Sequence, residues 1–202
     1  PPRPRCGGAL SLATSPREKF LWVVALASAY AALSFLWSAM GFASPVTPAP
    51  LGEYSSAQIV REIGGHLLFG VLAALPTMDA WLVLLSAGES ILIDVDHILG
   101  ALGFHVAGRL AHSVFFALAA AALLACLSAR IGRQGRGVFF VTLAAVASHL
   151  SYDAFAGNGL FYVLSPLSFA AYLFPYWTWP VLLAAALGLS AMARLSPRDI
   201  QA

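Results

Sequence analysis

The chain has 202 residues, of which 60% are hydrophobic and only 10% are charged, and its formal net charge at pH 7 is +2. Soluble domains carry about 25% charged residues, so the composition argues against a soluble protein and predicts a polytopic membrane protein. The net charge is small, and no basic patch is interleaved with aromatic residues, so nucleic acid is not expected as a partner.

Apolar runs along the chain predict an all-α bundle of about six transmembrane helices, since a span needs roughly 20 residues. Residues 1–19, rich in proline and arginine, are predicted to form a cytoplasmic polar tail. Residues 20–202 are predicted to form a single transmembrane domain, with a site-bearing core at about 57–176. The predicted helices cover residues 20–42, 56–75, 79–99, 109–130, 138–156 and 177–195. Between the last two, residues 160–179 are dense in aromatic side chains, which predicts a re-entrant or interfacial segment.

The distribution of basic residues predicts the orientation of the bundle. Six spans place both termini on one side of the membrane. Nine of the 11 Lys and Arg residues lie in the N-terminal tail, the turn after the fourth helix and the C-terminal end. By the positive-inside rule this side faces the cytoplasm, which gives an N-in/C-in topology. The two exceptions are Arg61 and Arg109.

A run of acidic residues ends the third predicted helix, from Glu89 to His97. Ionisable groups at membrane depth are costly and therefore suggest a function. Asp94 and Asp96 offer oxygen ligands and His97 a nitrogen ligand, a mixture that suits zinc, manganese or iron better than calcium. A helix end with solvated acids is the alternative. Glu89 precedes Asp96 by seven residues, so both are expected on one face, with Glu89 inside the bundle.

Further polar residues fall in the same predicted layer as this run. In the predicted topology, eight groups from four helices lie in the extracytoplasmic third of the membrane: His66, Asp94, Asp96, His97, Arg109, His112, His149 and Asp153. His149 and Asp153 are four residues apart and share a helical face, a common way for a helix to present two metal ligands. Solvated helix ends would place polar residues on both faces of the membrane, so the layer predicts a functional site. The loop residue His105 is expected to be solvated and outside it.

The order of these motifs resembles that in the YdjM-type, LexA-regulated inner-membrane metal-dependent hydrolases of bacteria. The matching pieces are His66, Asp94-Val-Asp-His97, Arg109-Leu-Ala-His-Ser113 and Ser148-His-Leu-Ser-Tyr-Asp153, followed by Gly159 and Leu164-Ser-Pro166. The resemblance covers about residues 63–166. The chain departs from the family pattern at Ile93, where proline is usual, and at Ala111, where threonine is common. The resemblance implies a hydrolase of the bacterial inner membrane and no particular substrate.

The residues and the resemblance together predict one or two divalent metal ions, with zinc favoured and manganese or iron as alternatives. The expected ligands are His66, Asp94, Asp96, His112, His149 and Asp153. Arg109 is expected to neutralise a phosphate oxygen, since its planar fork suits that task. His97 is expected either to bind the metal or to orient a ligand, and Glu89 to support the site or hold a proton. The depth of the site, at the lipid–water boundary, favours an amphiphile over a free soluble substrate, and we expect hydrolysis of a phosphoester or related bond in a membrane lipid or lipid-linked substrate.

Two other functions use the same residues. A divalent-metal transporter would need a polar path to the cytoplasm, for which the sequence offers only Glu89 and small residues below the site. A non-catalytic subunit or assembly factor would use the metal to hold the bundle together, in a closed site with four protein ligands.

Overall fold

The described part of the chain is a helical bundle with one small β-hairpin. A computed structural model describes residues 15–43, 55–104 and 109–195. Its α-helices are α1 Pro16–Ala39, α2 Ser56–Ala74, α3 Ala80–Leu92, α4 Ile98–Ala101, α5 Val114–Arg130, α6 Gly135–Ala156 and α7 Trp179–Arg194. Short 3-10 turns extend or link them at Met40–Ala43, Leu75–Thr77, Ile93–His97 and Tyr176–Thr178. Strands β1 Leu160–Phe161 and β2 Tyr172–Leu173 pair antiparallel.

Four of these helical segments are long and apolar enough to cross a membrane: Pro16–Phe42, Ser56–Thr77, Gly135–Ala156 and Tyr176–Arg194. The helix α5 is apolar but shorter, with 17 residues, and α3 has 13. The prediction of a helical membrane bundle is thus supported by length and composition, and four candidate spans are defined.

The helix α6 is the centre of the bundle. It packs against α2, α3, α5 and α7, and it is the most buried of the four candidate spans. On its α5 side, the apolar core continues to α1 and includes an edge-to-face contact between Tyr30 and Phe116, with ring centroids 5.3 Å apart. Such pairs add about 0.5–1.5 kcal/mol beyond the area they bury.

The first helix begins earlier than the sequence predicted. Ser15 accepts a hydrogen bond from Glu18 N, and the Glu18 carboxylate accepts one from Ser15 N. This capping box starts α1 at Pro16. Residues 16–19, assigned to the tail from composition, are therefore helical, and residues 1–14 lie outside the described part.

The third predicted helix is not continuous. It ends at Leu92, and the chain continues as the 3-10 turn Ile93–His97 followed by the short α4. Ser34 Oγ donates a hydrogen bond of 2.6 Å to Ile93 O, and this bond competes with the regular helical ladder at that carbonyl. The acidic motif therefore lies on a tight turn, which draws Asp94 and His97 to one side.

The predicted fourth helix begins later than expected, at Val114. Ser113 Oγ caps it by accepting a hydrogen bond from Phe116 N at 3.1 Å. Arg109 has a φ of 63°, which a right-handed helix does not allow. Arg109 and His112 thus belong to a turn that precedes α5.

The aromatic segment after α6 folds into the β1–β2 hairpin. Leu160 pairs with Leu173 and Phe161 with Tyr172. At the open end of the hairpin, Gly159 O accepts a hydrogen bond from Phe174 N at 2.7 Å. A side chain at Gly159 would place its Cβ 2.3 Å from Phe174 O, so this close pairing requires glycine.

Candidate metal centre

The eight polar residues predicted to share a layer meet in one cluster. His66 comes from α2, and His149 and Asp153 come from the end of α6. Asp94, Asp96 and His97 come from the 3-10 turn after α3. Arg109 and His112 come from the turn before α5. All six predicted ligands contact at least one other predicted ligand.

Four donor atoms converge at the buried side of the cluster, and we call them the inner set: His112 Nε2, His149 Nε2, Asp94 Oδ1 and Asp153 Oδ2. His112 Nε2 lies 3.4 Å from Asp94 Oδ1 and 3.6 Å from Asp153 Oδ2. His149 Nε2 lies 3.4 and 3.3 Å from the same two oxygens. The two Nε2 atoms are 2.9 Å apart.

These separations fit a tetrahedral ion. Zinc ligands at about 2.0–2.2 Å in tetrahedral geometry are roughly 3.3–3.6 Å apart. The four nitrogen-to-oxygen distances of the inner set span 3.3–3.6 Å, and the nitrogen pair is 2.9 Å apart. The ligand atoms of Asp94, His112 and His149 lie close enough together to hold one metal ion. Both histidines are fully buried. The inner set can therefore hold one divalent ion.

The remaining ring nitrogen of each of the two histidines lies close to another group. His149 Nδ1 is 2.6 Å from Ser90 O, so it donates this hydrogen bond and leaves Nε2 free to bind. His112 Nδ1 lies 3.4 Å from Asp96 Oδ2, which also accepts a hydrogen bond of 2.9 Å from Ala111 N. Partners of this kind fix the tautomer and the orientation of metal-binding histidines. Asp96 lies on the Nδ1 side of His112 and contributes no donor to the inner set; with His97 and His112 it forms a separate group of possible metal ligands.

His66 faces the other oxygens of the same two carboxylates. His66 Nε2 lies 3.6 Å from Asp94 Oδ2 and 3.6 Å from Asp153 Oδ1. We call these three atoms the outer set. Each carboxylate thus has one oxygen in the inner set and one in the outer set, an arrangement that can bridge two ions. Three protein donors leave room for water or a substrate atom on an ion in the outer set.

An open pocket of about 200 Å³ borders the outer set. Its lining includes His66, Asp94 and Asp153, together with Ile59, Glu62, Ile63, His97, Arg109 and Asn158. Neither histidine of the inner set lines it. Both carboxylates do line it, and Arg109 pairs with the inner oxygen of Asp153. The inner position is therefore the more enclosed one, and the position beside His66 is the one that borders the pocket.

Arg109 contributes positive charge to the pocket wall. Its guanidinium pairs with Asp153 and lies over the Phe161 ring, 5.3 Å from the centroid. The side chain is 23% exposed, and the remaining donors of its planar fork suit a phosphate group. Phe161 is fully buried and stacks against His112. The hairpin thus supports both Arg109 and His112.

The other two candidate catalytic residues lie in different surroundings. His97 Nε2 is 3.2 Å from Asp96 Oδ1 and 3.7 Å from Asp94 Oδ1, at the pocket wall. Glu89 is buried inside the bundle, as predicted, and accepts a hydrogen bond of 3.1 Å from Thr142 Oγ1. It does not line the pocket. His105, excluded from the predicted site, lies outside the described residues.

Several residues of the site had not been predicted from the sequence. Ser90 acts through its carbonyl, which no side-chain motif reveals. Tyr152 packs edge-on against His66, with centroids 4.6 Å apart. Phe161 comes from a hairpin that was expected to be a re-entrant or interfacial segment. Glu62 lines the pocket while paired with Arg61.

No family model, curated protein or solved structure matches the chain. The resemblance to the YdjM-type hydrolases therefore rests on the four ordered motifs alone. The geometry described above stands independently of that resemblance.

Proposed function

We propose that the protein is a metal-dependent hydrolase of the bacterial inner membrane that cleaves a phosphoester or related bond in a lipid-like substrate. The observation that carries this proposal is the division of the Asp94 and Asp153 oxygens between a closed inner set and an open outer set. A metal with a purely structural role needs only the closed set. The outer set, at the wall of the pocket, gives the site the open position that catalysis requires.

The proposed topology has six spans, both termini in the cytoplasm and the site at the extracytoplasmic boundary. The positions of the basic residues support this orientation. Lys19 and Arg133 line one pocket with Asp79, and Arg136 donates to Met192 O. Asp79 caps the start of α3 and Asp94 follows its end, while Gln134 and Asp153 lie at opposite ends of α6. In this topology α3, its 3-10 turn and α4 together form the third span.

The metal ion and the residues around it have different proposed roles in hydrolysis. A divalent ion held by these residues, with zinc favoured, would lower the pKa of a bound water and polarise a phosphoryl oxygen. Arg109 binds a non-bridging phosphate oxygen and holds the phosphorus beside the outer set. His97 and Asp96, which lie beside His112, would help to position it. Hydrolysis forms a bond from the water oxygen to phosphorus, breaks the bond to the leaving alcohol and transfers a proton to that alcohol.

The walls of the pocket support an amphiphilic substrate. Ile59 and Ile63 form its apolar side and are 46% and 47% exposed. Arg109, Glu62 and Asn158 form its polar side. A charged head group therefore fits beside Arg109 while an apolar chain leaves along α2 toward the lipid.

The purified protein in detergent tests this proposal with a panel of lipid phosphomonoesters and phosphodiesters, with product release as the readout. We expect turnover that a chelator abolishes and that added zinc, manganese or iron restores. Arg109→Ala should lose at least tenfold in kcat/KM and keep its metal, because its role is to bind substrate charge. Arg61→Ala is the matched control, since Arg61 is exposed and pairs only with Glu62 among the ion pairs of the described residues. Equal turnover in both variants would contradict the proposal.

A divalent-metal transporter is the second candidate, and buried polar contacts between α3 and α6 favour it. Ser90 Oγ lies 3.4 Å from Ser148 Oγ, and Thr142 donates to Glu89. Metal uptake by proteoliposomes without any hydrolysis would support transport over catalysis.

A further inference from the structure

Another group of possible ligands lies beside the inner set, on the other side of the His112 ring. Asp96, His97 and His112 each offer one donor atom, and these atoms lie within 4.8 Å of one another. His97 Nε2 is 3.2 Å from Asp96 Oδ1, and His112 Nδ1 is 3.4 Å from Asp96 Oδ2. We call the Asp96 carboxylate, His97 Nε2 and His112 Nδ1 the third set. It shares only the His112 ring with the inner set and no residue with the outer set.

Most polar atoms of the third set are left without partners. Asp96 Oδ1, His97 Nε2 and His112 Nδ1 are buried, and none of them makes a hydrogen bond among the described residues. Asp96 Oδ2 differs, since it accepts a hydrogen bond from Ala111 N. Buried polar atoms are nearly always paired. Three unpaired atoms in one group therefore indicate a missing partner that all three can contact.

A cation fits this place better than a water molecule, because the group contains a buried carboxylate. In the described ion pairs, Asp96 is joined only by His97 and His112, and no arginine or lysine takes part. Two imidazole nitrogens and a carboxylate are donors that suit zinc and related divalent ions. The third set therefore has the chemistry of a metal site.

Filling the third set makes His112 a ligand of two ions. A neutral imidazole carries one proton, so when Nε2 binds the inner ion this proton is on Nδ1. An ion on Nδ1 displaces the proton into solution and leaves an imidazolate between the two metals. The imidazolate and the Asp96 carboxylate then supply two negative charges, which offset the charge of the added ion.

The ion of the third set is expected to exchange readily. The His97 side chain is 27% exposed and lines the metal-site pocket, whereas Asp96 and His112 are fully buried. An ion can therefore enter beside His97. Its binding requires the loss of a proton and brings it close to the positive charge of the inner ion, so it is held more weakly than the ions of the other two sets.

We propose that Asp96, His97 and His112 bind a third divalent transition-metal ion, with His112 shared between this ion and the ion of the inner set. The third ion comes in addition to those of the inner and outer sets, and washing removes it. The proposal rests on the metal centre of the proposed function, and it does not require that the protein be a hydrolase.

Equilibrium dialysis of the washed full chain against zinc, followed by elemental analysis, tests the proposal. His97→Gln removes a donor of the third set and none of the other two sets. At saturating zinc, the wild type should take up about one more ion per chain than His97→Gln. His97→Cys replaces the lost donor with a thiolate and should restore this uptake. Asn158→Ala, at the wall of the same pocket, is the matched control and should bind zinc like the wild type.

Proton release tests the sharing of His112. A pH indicator in weakly buffered solution should record more protons released by zinc in the wild type than in His97→Gln, because His112 gives up its ring proton only when the third set is filled. Since the His97 side chain is partly exposed, both His97 variants should fold, and unchanged helical circular dichroism serves as the check.

Three results would overturn the proposal: equal zinc uptake by the wild type and His97→Gln, no more uptake by His97→Cys than by His97→Gln, or binding of the additional ion without additional proton release. The proposed function fails separately. A protein that shows the His97-dependent uptake and has no hydrolytic turnover would contradict the hydrolase and leave the third ion in place.

Discussion

His66 and His149 stack face to face, with ring centroids 3.8 Å apart and planes inclined by 5°, although they lie on different helices. The close approach of α2 and α6 that this stack needs is made possible by Gly65. A Cβ at Gly65 would lie 2.0 Å from the Tyr152 ring. The position of His66 relative to the carboxylates thus depends on the preceding residue being glycine.

Gly65→Ala should destabilise the protein and displace His66. Overpacking of this kind costs about 1–3 kcal/mol, so the thermal unfolding midpoint in detergent should fall. The matched control is Gly64→Ala, since nothing lies within 4 Å of a Cβ at Gly64. This control should leave the midpoint unchanged or raise it, because alanine favours a helix by up to about 1 kcal/mol. Equal midpoints for the two variants would show that the helices do not approach as described.

Asp96→Asn should weaken metal binding without abolishing it. Asp96 contacts His112 Nδ1 and accepts a hydrogen bond from Ala111 N, and the loss of such an orienting partner costs 10–100-fold in metal affinity. Asp153→Asn removes a donor carboxylate from both sets and should lose the metal. Competition with a chromogenic chelator measures both affinities. Complete loss in Asp96→Asn would instead make Asp96 a metal ligand, as the sequence had suggested.

Glu89→Gln and Glu89→Leu test whether the buried carboxyl supports the site. Glu89 accepts a hydrogen bond from Thr142, and its Oε2 has no hydrogen-bond partner among the described residues. Thr142→Val removes the described donor and should cost about 1–3 kcal/mol in stability, because a buried acceptor is left unsatisfied. We expect at least one Glu89 variant to lower metal content or protein yield. If both variants match the wild type in both measurements, Glu89 has no supporting role.

The existence of most helices and the clustering of the eight polar residues could be predicted from the sequence, because both depend on local patterns. Long apolar runs predict spans, and His149 and Asp153 share a face through their spacing alone. The breaks in helical structure could not be predicted in the same way. The 3-10 turn at Asp94 involves Ser34, which is 59 residues from Ile93 in sequence. The left-handed backbone conformation of Arg109 likewise accompanies contacts with Asp153 and Phe161, which come from elsewhere in the chain.

The different roles of the residues within the site could not be predicted from the sequence either. Spacing identified six candidate ligands as equivalent donors. The measured distances distinguish them. Asp96 lies beside His112 Nδ1, whereas Asp94 and Asp153 each have oxygens in both the inner set and the outer set. A carbonyl such as that of Ser90 carries no side-chain pattern at all.

Thiol labelling tests the proposed topology in a chain whose native cysteines are replaced by serine. Cysteines at Thr47, Ala107 and Asn158 should react with an impermeant reagent added outside the cell, and a cysteine at Gln134 should not. The reason is the concentration of basic residues at the Gln134 end of the bundle. Thr47 and Ala107 lie outside the described residues, and Asn158 lies at the metal-site pocket. Labelling of the cysteine at Gln134 from outside would show that the orientation is the reverse and that the site lies on the cytoplasmic side.

The metal content of the purified protein tests the central claim most directly. After washing, elemental analysis should find two divalent transition-metal ions per chain. His66→Ala should retain one ion, in the inner set, while His112→Ala and His149→Ala should lose most of both. His105→Ala should match the wild type. If the wild-type protein carries no stoichiometric metal after growth with added zinc, manganese or iron, the metal centre, the proposed hydrolase function and the family resemblance are all contradicted.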